Sequence, residues 1–166
     1  SNNMSNLLVQ NIKHTNGTTA QTIDSSGRVT TPVRPSFRAY KASSGDVTYS
    51  AGANISADMD TTTFNVGNCF STSTGKFTAP VTGLYYFMAH LYNNSSGTKR
   101  VYVVFEGTHG TGPMFGQNHT EPSNSFQSSG IINLLANETA YVTCGYNDTV
   151  IYHHQTHSLF SGCLIG

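Results

Sequence analysis

Few side chains in this sequence could do chemistry on their own. His153, His154 and His157 stand close together, and Asp58 and Asp60 form a second small cluster. A spacing of four would stack His153 and His157 on one helical face, as a zinc-binding pair requires. Here the cluster lies between the strand-like runs Val150-Ile151-Tyr152 and Leu159-Phe160. Helical spacing is then the wrong measure, and the imidazoles read as loop residues that would take zinc or nickel only adventitiously. Asp58 and Asp60 offer oxygens to calcium, but two carboxylates fall short of a shell of about six to eight oxygens. No metal site is assigned, no cofactor is required, and calcium stays open. Cys69, Cys144 and Cys163 fit no zinc-ribbon spacing, and their odd number leaves at least one free or paired with another chain. Cys69 and Cys163 stand among aromatic and aliphatic residues, where a thiol serves as a small hydrophobe. No GxSxG, HExxH or phosphate-binding loop is present. The chain reads as non-enzymatic, with no catalytic residues.

The surface must be polar without being charged. Formal net charge is +0 and charged residues make up 10%, against about a quarter in ordinary domains. Ser, Thr, Asn and Gly therefore carry the surface. Without a Lys/Arg cluster there is no electrostatic footprint for nucleic acid. Without a run of about 18 apolar residues there is no membrane insertion. Glycan-acceptor triplets begin at Asn16, Asn54, Asn93, Asn94, Asn118, Asn137 and Asn147, mostly in expected loops, and lend weak support to a secreted glycoprotein.

The elements that must position any site are strands. The central one begins after Pro80 and Gly83. Tyr85, Phe87, Ala89 and Leu91 fall on one face, with Tyr86, Met88, His90 and Tyr92 on the other. Both faces carry large side chains, so one packs into the core and the other needs a second cover. A bulge at Gly83 would exchange the two sets. Lys99 to Glu106 repeats the pattern, with Tyr102 and Val104 on its second face. Tyr86, Met88, Tyr102 and Val104 are thus expected at an oligomer interface, the alternative cover being the N-terminal arm. Further strands are expected over 36–40, from Val47 to Tyr49, and over 61–70 with a break at Gly67-Asn68. More follow over 126–135, 139–146, 150–152 and 159–165, with a long loop from Gly107 to Asn124. Residues 1–34 read as an extended arm or a loosely attached extension ahead of one globular domain over 35–166. Ser1-Asn2-Asn3 reads as a remnant before Met4. Either no signal peptide follows Met4, or a signal and stalk were removed upstream.

Several motifs, taken together, resemble the C1q globular-head family. They are Phe70 followed by Thr74-Gly75-Lys76-Phe77, then Ala79-Pro80, then Gly83-Leu84-Tyr85-Tyr86-Phe87. Phe37 in Pro35-Ser36-Phe37-Arg38-Ala39-Tyr40 and Phe160 with Gly162 near the end extend the match, as do Gly130 to Leu135 and Ala140-Tyr141-Val142. Cys163 departs from it, standing where the family usually has a second aromatic. The resemblance implies an all-β jelly-roll sandwich of two antiparallel sheets, about ten strands, assembled as a homotrimer. There is no Gly-X-Y stalk. It is closest in type to stalk-less invertebrate C1q-domain proteins that act like lectins.

The resemblance implies two functions. One is a secreted pattern-recognition protein of innate immunity that binds microbial glycans, neutral sugars or sialic acid. Polar loops suit that task, because sugars are held by hydrogen bonds and an aromatic platform. The candidate ligand positions are His109, Gln117, Asn118, His119, Glu121, Tyr146, Asn147, His153 and His154. Arg100, or a histidine, would receive an acidic sugar's carboxylate. The alternative is a trimeric protein-binding module of signalling, matrix or synaptic-organiser type.

Overall fold

The structure, a computed structural model, describes residues 8–107, 110–119 and 124–166, with backbone alone for 105, 110–119 and 124. The chain divides into two compact units, one ending at Arg34 and the other running from Pro35 to Gly166.

The first unit is a three-stranded antiparallel meander of β1 (Asn11–Lys13), β2 (Thr19–Ile23) and β3 (Val29–Thr30). The sequence alone assigns no strands to these residues. Asp24 closes the second turn by accepting from the backbone N–H groups of Ser26 and Arg28, at 2.8 and 2.9 Å. The turn signals Asn16-Gly17 and Ser25-Ser26-Gly27 between Thr- and Ile-bearing runs are those of short hairpins.

The second unit is a jelly-roll sandwich of twelve strands: β4 (Ser36–Tyr40), β5 (Gly45–Tyr49), β6 (Thr61–Val66), β7 (Phe70–Ser71), β8 (Lys76–Thr78), β9 (Gly83–Asn93), β10 (Lys99–Gly107), β11 (Gly110–His119), β12 (Asn124–Leu134), β13 (Thr139–Cys144), β14 (Thr149–His153) and β15 (Leu159–Leu164). One sheet runs β5-β14-β9-β15-β4-β6, with β12 on the other edge of β9. The second runs β11-β10-β13-β8-β7. Every pairing is antiparallel.

Tyr85, Phe87, Ala89 and Leu91 are buried, so the central strand keeps the expected register and Gly83 introduces no exchange of faces. They meet Phe37 and Phe160 from their own sheet and Phe70, Phe77, Val101 and Val103 from the other. Phe37 stacks on Phe70 at 4.8 Å between ring centres, and Phe77 meets Phe87 edge-on at 5.0 Å. Two glycines permit this packing. A Cβ on Gly162 would lie 2.5 Å from the Phe87 ring, and one on Gly75 would lie 2.3 Å from the backbone of Ser56 and Ala57. Gly75 also has φ +65°, where side chains are disfavoured.

Two expectations fail here. Residues 110–119 are a strand paired with β10, whereas the sequence suggested that they belong to a long loop. Gly and Pro mask the strand, and the pairing accommodates them with a register shift between Val103 and Val104. The second correction concerns the oligomer face. β9 and β10 belong to different sheets, so their outward side chains lie on opposite outer faces of the sandwich. Tyr86 and Met88 cannot form one patch with Tyr102 and Val104, and Val104 is itself only 7% exposed.

Candidate functional site

The outer face of the larger sheet changes character along β9. Directly opposed residues share a face, so the ladder pairs line up as rows. The row through Tyr86 holds Ile131 on β12, Cys163 on β15 and Ser36 on β4. The next holds Ser129, Met88, Ser161, Arg38 and Phe64. Ile131 is 61% exposed, Phe64 45% and Leu84 45%. A shallow apolar depression of about 190 Å³ opens here, bounded by Phe64, Tyr86 and Cys163. Cys163 is thus half-buried on the outer face, while Cys69 and Cys144 are buried, and all three are free thiols.

Six positions further along β9, about 20 Å away, the face becomes polar and aromatic. Tyr92 lies opposite Tyr152 of β14, their rings edge-to-face at 6.0 Å. His157 packs edge-on against both, at 5.5 Å from Tyr92 and 5.7 Å from Tyr152. Tyr92, Asn94, Tyr152 and His157 line a pocket of about 290 Å³. Asn94 is braced by donating to Asp46 at 2.9 Å. The turn after β14 is tied to β9 by Ser158, whose hydroxyl accepts from the Tyr92 backbone N–H and donates to the Tyr152 carbonyl, at 3.0 and 2.7 Å. His154 lies parallel to Tyr152 at 6.4 Å and edge-on to His157 at 5.0 Å. Two aromatic walls with amide and imidazole groups at the rim can hold a small polar ligand by stacking and hydrogen bonds.

The expected ligand residues are dispersed. His154 does not line this pocket but packs on two residues that do, Tyr152 and His157. His153, its neighbour, points inward and is 0% exposed, so it is withdrawn as a ligand contact. The Tyr49 hydroxyl donates to Asp58 at 2.7 Å and therefore accepts from His153 Nε2, also at 2.7 Å. Burial pushes the His153 pKa down to about 4, against an opposing pull from Asp58. The same burial, then Asp58, raises the Tyr49 hydroxyl. Arg100, Tyr146 and Asn147 gather elsewhere, at one end of the smaller sheet. There Gly145 N–H donates to the Arg100 carbonyl at 2.9 Å and Lys99 donates to the Asn147 carbonyl at 2.7 Å. Arg100 also donates to the Tyr102 hydroxyl at 3.1 Å. Gln117, Asn118 and His119 lie on β11, with Asn118 opposite Arg100; their side chains lie outside the described residues, as do His109 and Glu121 entirely. Tyr92, Asn94, Tyr152 and His157 were not among the expected contacts. The period-two pattern placed Tyr92 on the outward face, but its partner Tyr152 is brought there only by strand order.

Asp58 and Asp60 do not converge. Asp58 serves Tyr49, while Asp60 accepts from Ala42 N–H at 2.8 Å and from the Thr61 hydroxyl at 2.9 Å. Among the described residues no three His, Cys, Asp or Glu side chains gather as a metal site. No described helix is long and apolar enough to cross a membrane.

Residues 39–165 match the profile of the C1q domain. No curated protein matches the chain. Solved structures with the same fold include the globular domain of zebrafish complement 1qA protein, at TM-score 0.62 and 17% identity, covering 80% of this chain and 98% of that one. Eiger TNF from S. frugiperda gives TM-score 0.63 and 18% identity over 80% and 93% of the two chains. Murine APRIL gives 0.65 and 12% over 80% and 99%. With the motifs around Gly75, Pro80 and Gly83, the match over residues 39–165 places this chain in the C1q domain family.

Proposed function

We propose that this protein is a secreted, non-enzymatic recognition protein whose heads associate as homotrimers and bind microbial surface glycans. The observation that carries the glycan reading is the pocket between Tyr92 and Tyr152, with its amide and imidazole rim. A ring face of the ligand would stack on tyrosine, and its hydroxyls would exchange bonds to water for bonds to Asn94 and His157. Membership of the C1q domain family supports a trimeric immune or signalling module in general terms. The exposed apolar side chains around Tyr86 and Ile131 suit the trimer contact, and they leave the pocket at the far end of β9 for ligand.

A glycan panel probed with the full chain and with Tyr152→Ala tests this. Wild type binds a subset of glycans, competed by free sugar at roughly millimolar level as expected of a shallow polar site, and the variant loses that signal while keeping its far-UV spectrum and a cooperative unfolding transition.

A second reading is favoured by the other sheet. Arg100, Tyr102 and Tyr146 present the residue types that anchor protein interfaces. If no glycan binds and a host protein is captured in a manner abolished by Tyr102→Ala, the protein-binding module is correct.

A further inference from the structure

The turn between β14 and β15 does something the sequence spacing hides. The backbone N–H groups of His157 and Ser158 both donate to the His154 carbonyl at 3.0 Å. This brings the two rings round so that their Nδ1 atoms face each other at 3.2 Å. Thr156 sits between them, its hydroxyl 2.8 Å from His154 Nδ1 and 3.0 Å from His157 Nδ1, and its backbone N–H donates to His154 Nδ1 at 3.2 Å. His154 Nδ1 has a single lone pair. Three groups compete for it, and the contacts hold that nitrogen in the acceptor state that a metal also requires.

We infer that His154 and His157 form a two-imidazole chelate for a borderline divalent transition metal, Zn²⁺ or Cu²⁺, bound through both Nδ1 atoms. Metal–nitrogen bonds of about 2.0–2.1 Å meeting at about 90–109° place the two nitrogens roughly 2.9–3.4 Å apart. The observed 3.2 Å falls within that bite. The rings are already oriented, since Tyr152 packs on both and Tyr92 on His157. Binding through His157 Nδ1 requires that nitrogen's lone pair, so the metal selects the tautomer of the neutral ring that carries its proton on Nε2. Because no third His, Cys, Asp or Glu completes the set among the described residues, the remaining positions are left for water or an outside donor. His157 is also a lining residue of the pocket. The sequence set helical spacing aside and left three loop imidazoles with merely adventitious binding; the turn pairs two of them, His154 and His157.

The inference stands apart from glycan binding and is tested with metal alone. The full chain, freed of metal and titrated with Cu²⁺, should bind one ion per chain with nitrogen splitting from two imidazoles in its electron paramagnetic spectrum. His154→Ala and His157→Ala should each weaken binding by about tenfold or more, at least the effect of losing an outer-shell partner, while His14→Ala leaves it unchanged. Unchanged binding in the His154→Ala/His157→Ala double variant would mean an adventitious ion only and overturn the site. Nitrogen-15 spectra of the unsubstituted protein give an answer that does not depend on any variant folding. Added Zn²⁺ should shift the Nδ1 resonances of His154 and His157 together, whereas shifts confined to other histidines would refute the chelate.

Discussion

Adjacent histidines in this chain have opposite environments. Strand alternation turns His153 inward with Ile151, while His154 stays half-buried on the outer side. The sequence showed Val150-Ile151-Tyr152 as a strand, and carrying the alternation one residue further separates the two rings. It could not show Tyr49 waiting inside, backed by the partly exposed Asp58, because both come from distant segments. A consequence follows for acid stability. The folded pKa of His153 is held at about 4 by burial, below the ordinary 6.5, so between these values the unfolded chain takes up a proton that the folded chain refuses. The stabilisation is fully present above pH 6.5 and is lost as pH falls toward 4. Denaturation in EDTA should show wild type losing about 2–3 kcal/mol through this group by pH 4.5. His153→Leu should flatten that part of the profile even if it lowers stability at pH 7. Identical pH profiles for the two proteins would count against the buried neutral imidazole.

At the scale of elements, the aromatic strand was the most legible part of the chain. Its alternation sorted Tyr85, Phe87, Ala89 and Leu91 into the core without reference to any partner strand. What local pattern cannot supply is which sheet a strand joins. Tyr102 reads as a companion of Tyr86 by periodicity, yet β10 pairs with β11 and β13 and faces the other way. The strand over 110–119 escaped notice because its Gly and Pro content mimics a loop. Phe77 and Phe87 join the two sheets, so Phe77→Ala or Phe87→Ala should cost about 3–5 kcal/mol in chemical denaturation. A cost near zero would mean that the aromatic contacts do not exist. Gly162→Ala should also destabilise, since its Cβ would press on the Phe87 and Phe37 rings. A neutral outcome would show that the rings can move aside.

For the whole molecule, the family motifs made the fold readable, whereas the ligand was not. The motifs are core and turn residues, and those specify packing; the candidate site is assembled from β9, β14 and the turn after β14, which only the folded topology brings together. The proposed function gives assembly to the apolar residues at one end of the larger sheet and recognition to the tyrosine pocket at the other. Light scattering at micromolar concentration should give the mass of three chains, and Tyr86→Asp/Ile131→Asp should give that of one. A monomeric wild type would remove the reason for the exposed rows. Under the proposed function each pocket alone would bind weakly, and three facing one surface would raise the effective concentration without new contacts. Retention on glycan-coated beads, compared between wild type and Tyr86→Asp/Ile131→Asp, measures both halves of this account together. The account predicts that wild type is retained and eluted by free sugar, and that the monomeric variant washes through while still binding free sugar in solution. Absence of retention by wild type across a broad set of glycans, or equal retention by the monomer, would contradict it.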